Sequence, residues 1–268
     1  MASVAEDRPI GPLPDVPGQR YVSVYALHAG SVFLPDREVF DDSLDTDTGS
    51  KVPSFAFLIQ HGQRGKLLFD LGLRKHGMGY PPAWNETLQT FTVDCPHDIV
   101  DILNGGDVAP SSINTIVYSH LHFDHVGDLS PFPSAELVAL PRYPDSLWQE
   151  FPPHQKVRYI QFEDNVPPSR VVAPLGSFDR GLDFYGDGSL YLLDAPGHFP
   201  AISAPLLARE NYDELDIARK TVDRLKAMHA VDNVVVILAH EKERLDEMPL
   251  FPTALDDWAV EEAQRKRG

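Results

Sequence analysis

Three imidazoles and a carboxylate fall within six residues of this chain. His120, His122, Asp124 and His125 lie in the run Ser119-His-Leu-His-Phe-Asp-His-Val-Gly127. Neutral imidazole nitrogens and a carboxylate oxygen are the donor set that suits a zinc ion. His120 and His122 are two apart, so an extended backbone sends both rings to the same side. Asp124 and His125 are neighbours and would diverge on a strand, so the chain must turn after Phe123 for them to join, and Gly127 permits that turn. Such a crowd of imidazoles beside a carboxylate has no ordinary packing use. A zinc ion with three protein ligands and an open position lowers the pKa of bound water to about 7, which is the chemistry of hydrolysis near neutral pH.

The elements that must position these groups can be read from the apolar periodicity. Residues 113–118, Ile-Asn-Thr-Ile-Val-Tyr, read as a buried strand that delivers the histidine run at its end. Residues 21–27 alternate and predict a first strand, and 54–60 with 66–70 predict a hairpin turning at Gly62 and Gly65. The stretch 28–51, with Phe33, Leu34 and Phe40 placed early, reads as a long loop able to cover an apolar substrate. Residues 97–104 predict a helix stopped by Gly105-Gly106, residues 136–140 a strand, and 144–151 a short helix. The region 152–174 is proline-rich and polar. Two strands within 181–194 meet at Asp187-Gly188, and the second runs into Ala195-Pro196-Gly197-His198. Residues 213–230 carry Leu215, Ala218, Val222 and Leu225 on one face and predict a helix. The continuous apolar run 233–239 predicts a buried strand ending at His240, and 256–267 a closing helix.

Composition narrows the function classes. A net charge of −17 disfavours a nucleic-acid partner, since phosphate binding needs a basic surface. The single cysteine, Cys95, allows no intrachain disulfide and fits a reducing compartment. Residues 1–20 carry Pro9, Pro12, Pro14 and Pro17 without an apolar core, so they read as a surface arm rather than a signal peptide. No run of about 18 apolar residues occurs, which predicts no membrane partner and makes the cytoplasm the default.

The run from Ser119 to His125 resembles the signature of the metallo-β-lactamase superfamily, and most of all its N-acyl-homoserine lactone lactonase branch. Pro196-Gly197-His198 after an apolar strand is similar to that superfamily's next landmark. The resemblance implies an α/β fold, the αββα sandwich, as a single domain over 21–268 after the 1–20 arm. It implies a first metal site from His120, His122 and His198 and a second from Asp124, His125 and His240, filled by one or two Zn2+ ions. Asp70, before Leu71-Gly72, would hold the metal loop without ligating. The implied reaction is opening of a small-molecule lactone or related ester, with Asp124 orienting the nucleophile and passing a proton to the leaving oxygen. Thioesters and lactams fall within the same chemistry.

The resemblance breaks after His198. The superfamily continues with a strand pair ending in Gly-Asp, whose carboxylate bridges the two metals. No Gly-Asp occurs between His198 and His240, so the chain is expected to lack one strand pair and the bridge. Asp213 and Asp216 are the nearest carboxylates, and both suit the first turn of the 213–230 helix better than a metal. A second site without the bridge is expected to hold its ion more weakly, because two close cations repel with less compensation. A metal-binding relative that has lost turnover is therefore the rival expectation.

Overall fold

Among the described residues, short β-branched and apolar runs punctuated by Gly, Pro and Asp pair into two sheets. The computed structural model describes residues 13, 16–40, 43, 48–139, 151–160, 162, 172–197 and 215–267. The larger sheet holds β1 (Val22–Pro35), β2 (Gly49–His61), β3 (Gly65–Phe69), β4 (Val93–Asp94), β5 (Ile113–Val117), β6 (Glu136–Ala139) and β7 (Val157–Tyr159). Their order is β4-β1-β2-β3-β5-β6-β7, antiparallel from β4 to β3 and parallel from β3 to β7. The smaller sheet joins β8 (Val172–Leu175), β9 (Phe178–Asp183) and β10 (Tyr191–Leu193) in the order β10-β9-β8. Among the described residues, α1 (Asp36–Val39), α2 (Asn85–Thr90), α4 (Phe123–Val126) and α6 (Arg244–Glu247) are helices of a single turn or little more. The longer ones are α3 (Ile99–Gly105), α5 (Leu215–His229) and α7 (Asp256–Arg265).

The period of two along each strand separates the layers. Leu58, Leu68, Ile116 and Leu137 lie opposite one another across β2, β3, β5 and β6. With Ile99 and Leu103 of α3 they form a core on one face of the large sheet. The next row, Phe69, Val117 and Val138, faces Leu182 and Leu192 of the small sheet. Ser177 Oγ donates to Arg224 O at 2.7 Å and Thr221 Oγ1 to Pro196 O at 2.6 Å, which fastens α5 to the small sheet. The sequence of layers is helix, sheet, sheet, helix, as the αββα expectation has it. The mixed α/β fold stands.

Two expectations are corrected. The first strand does not stop at Leu27; β1 continues to Pro35, with Phe33 opposite Lys51 and Leu34 opposite Ser50. A register shift between His28 and Ser31, where Gly30 takes φ 96°, breaks the alternation on which the expectation rested. Phe33 and Leu34 are thus sheet residues rather than part of a covering loop. The run 233–239 is not a buried strand. Residues 234–237 are half-buried and Leu238 is exposed. Among the described residues one backbone hydrogen bond joins it to the sheet, Phe55 N to Ala239 O at 3.0 Å. β3 covers that edge of β2 only from Phe57 onward, so the segment meets the uncovered edge through that one bond and otherwise packs by its side chains.

No strand lies between Gly197 and His240 among the described residues. The helix expected over 144–151 falls mostly outside them, and no described helix is long and apolar enough to cross a membrane.

Candidate metal centre

The site forms where the parallel strands β3 and β5 end, the usual place for ligands in such sheets. Asp70 follows β3 directly and takes a left-handed φ of 61°, which an aspartate tolerates. This conformation turns its carboxylate toward the segment beyond β5. Oδ1 accepts from Ser119 N at 2.7 Å, and Oδ2 accepts from Ser119 Oγ at 2.7 Å and from His125 Nδ1 at 2.8 Å. Ser119 Oγ also lies 3.0 Å from His120 Nδ1. One buried carboxylate therefore orients His125 directly and touches His120 through a hydroxyl.

The predicted turn after Phe123 is the single-turn helix α4, ended by Gly127 at φ 43°. It places Asp124 and His125 side by side, both buried. Asp124 Oδ2 is 3.7 Å from His125 Nε2 and 3.3 Å from His240 Nε2. Ligand atoms of Asp124, His125 and His240 all fall within 4.8 Å of one another. The His120 ring centroid is 4.5 Å from that of His122 and 4.1 Å from that of His125, so four of the predicted ligands form one continuous cluster with His240 at its rim. His198 lies outside the described residues, as does Asp213. Asp216 does not join the cluster, because its side chain is 90% exposed and 3.5 Å from Arg219 Nη1 on its own helix.

The tautomers follow from the partners. His240 Nδ1 is 2.7 Å from Pro53 O, a carbonyl that can only accept, so Nδ1 carries the proton. His125 Nδ1 likewise donates to Asp70. Both rings then turn Nε2 toward Asp124, and the donor set of two imidazole nitrogens and one carboxylate fits a divalent cation. Burial alone would raise the Asp124 carboxyl, but His125, His240 and His122 outweigh it and hold the group well below the usual carboxylate range. Burial alone would lower His125, yet Asp124 and Asp70 push it up to about 9. Two carboxylates around one imidazole create a negative potential that a proton or a cation can answer.

Further residues that hold the site were not visible in the sequence: Ser54, Tyr80 and Tyr118 each donate a hydroxyl to a carbonyl of α4. Tyr118 adjoins the histidine run, but Ser54 and Tyr80 carry no local signal.

The metallo-beta-lactamase superfamily model matches residues 49–204. The chain belongs to that superfamily, a class of metal-dependent hydrolases. It is 31% identical over 274 residues to the cytochrome P450 monooxygenase mpaDE of Penicillium roqueforti, an alignment that takes in 77% of this chain and 32% of that protein. The chain thus spans about a third of that relative's length. It is 26% identical over 328 residues to the metallo-hydrolase mfmC of Annulohypoxylon moriforme, covering 91% of this chain and 85% of that one. Among solved structures, an N-acyl homoserine lactone hydrolase with the product N-hexanoyl-L-homoserine at its catalytic metal center shares the fold. The TM-score is 0.60 at 18% identity, over 88% of this chain and 99% of that one.

Proposed function

We propose that this chain is a zinc-dependent hydrolase that opens a lactone or a related cyclic or acyl ester. The observation that carries the reading is the convergence of Asp124, His125 and His240, with both imidazoles turning Nε2 toward the carboxylate. These three would hold one ion, and His120 and His122 with His198 would hold a second. When bound there, a divalent ion would supply Lewis-acid polarisation of a carbonyl and a nucleophile available near neutral pH. Asp70 keeps the His125 ring in place, and the ionised Asp124 orients the attacking water, takes its proton as the new C–O bond forms, and passes that proton to the leaving oxygen as the ester C–O bond breaks. A lactone needs little help at its leaving oxygen, so this chemistry tolerates a weakly held second ion. The lactone hydrolase that shares the fold and the metallo-hydrolase relative support the substrate class and the metal.

A second reading, a metal-binding relative without turnover, draws on the absence of Gly-Asp between His198 and His240. Metal content and activity on a panel of lactones, lactams, esters and thioesters separate the two. The hydrolase reading expects about one zinc or more per chain and opening of a lactone, with the ion of the Asp124 site and the activity lost in His125→Ala. Bound zinc with no turnover of any panel member favours the second reading, and a chain that retains no divalent metal sinks both.

A further inference from the structure

The turn α4 is too short to satisfy its own backbone. Its internal bonds run from His125 N and Val126 N to His122 O, at 3.1 and 3.3 Å, which leaves the carbonyls from Phe123 onward to find donors elsewhere. Each of five successive carbonyls does so, and each from a different residue. Tyr80 Oη donates to Phe123 O at 2.9 Å, and Ser54 Oγ donates to Asp124 O at 2.6 Å. Leu71 N donates to His125 O at 2.8 Å, Tyr118 Oη to Val126 O at 2.8 Å, and Arg74 Nε to Gly127 O at 2.7 Å. The donors come from β2, from the end of β5, and from the segment that follows β3.

Tyr80 is the most constrained of them. Its hydroxyl accepts from Arg74 N at 2.8 Å, so its own proton must point at Phe123 O. Its ring stands edge-on to Phe123 at 6.2 Å, while Trp84 and Phe91 each lie 5.9 Å from the same ring. The guanidinium of Arg74 lies 5.1 Å from the centre of the Tyr80 ring. The segment 74–91 thus grips the residue immediately before Asp124 by its ring and by its carbonyl.

We propose that Tyr80 and Ser54 are positioning residues that set the metal affinity of Asp124 and His125 by fixing the carbonyls of the turn that carries them. This rests on the metal reading of the site. Outer contacts of this kind commonly change metal affinity by about 10- to 100-fold. The test titrates the metal-free chain with Co(II), read by its visible absorption, in wild type, Tyr80→Phe, Ser54→Ala and Ser177→Ala. Tyr80→Phe keeps the ring and removes one hydroxyl; Ser54→Ala removes one buried hydroxyl. Ser177→Ala removes a hydroxyl-to-carbonyl bond of similar length to α5, away from the site. The expected result is about tenfold weaker Co(II) binding with a shifted absorption band in Tyr80→Phe and Ser54→Ala, and no change in Ser177→Ala. Wild-type affinity and band shape in either site variant overturns the proposal, as does equal weakening in Ser177→Ala. If Tyr80→Phe does not fold, Ser54→Ala decides alone. A wild-type chain that takes up no Co(II) defeats the metal reading itself, an outcome distinct from these.

Discussion

Asp70 shows how much one side chain can do without touching a metal. It accepts three hydrogen bonds, two from Ser119 and one from His125, from a backbone conformation that most residues avoid. Asn at this position tolerates the same φ but is neutral and presents a single acceptor oxygen. Asp70→Asn is therefore expected to weaken metal binding by about 10- to 100-fold while the chain still folds. Competition against a chelator of known affinity measures this, and an unchanged dissociation constant would show that Asp70 only ends a strand. At this scale the sequence was highly informative. The spacing of His120, His122, Asp124 and His125 pointed to a shared volume, and their rings do adjoin. Ser54 and Tyr80 were illegible because a hydroxyl finds its carbonyl only after distant strands are assembled.

Among the elements, α4 depends on its last residue. At Gly127, with φ 43°, an added Cβ would stand 2.6 Å from Leu71 Cβ and 2.9 Å from Leu71 O. Gly127→Ala must therefore strain the backbone and displace the Leu71 main chain that caps His125 O. A loss of about 1–3 kcal/mol is expected, read as a lower urea midpoint with unchanged slope. A change in slope would mean that the substitution alters the unfolded ensemble instead. Strands written as short apolar runs around a glycine turn, such as those of the 54–70 hairpin, were legible from the letters. β1 was legible only in part, since the irregularity at Gly30 resets its period. The segment before His240 misled because an apolar run carries no signal of pairing: it meets the edge of β2 through Ala239 O alone and stays half-buried.

For the molecule as a whole, the cluster gathers residues from three distant parts of the chain. Asp70 follows β3, Asp124 and His125 follow β5, and His240 lies beyond α5. An ion bound there selects the folded state over the unfolded one. Zinc at about 100 times its dissociation constant is expected to stabilise the fold by about 2.7 kcal/mol, raising Tm by several degrees. Calorimetry with and without a chelator measures the difference, and identical melting curves would show that the ion binds without regard to folding. The layered architecture was legible because alternating strands and amphipathic helices leave few ways to stack. The stretch beyond Gly197 was the least legible, since the letters there depart from the superfamily pattern and point to no replacement carboxylate.

The two halves of the cluster are anchored unequally. Asp124 and His125 sit on a turn pinned at every carbonyl, whereas His240 hangs from a half-buried segment joined to β2 by the bond at Ala239 and by its own ring to Pro53. An incoming ion would thus meet a tightly braced pair of donors on one side and, on the other, a third donor tethered by fewer bonds.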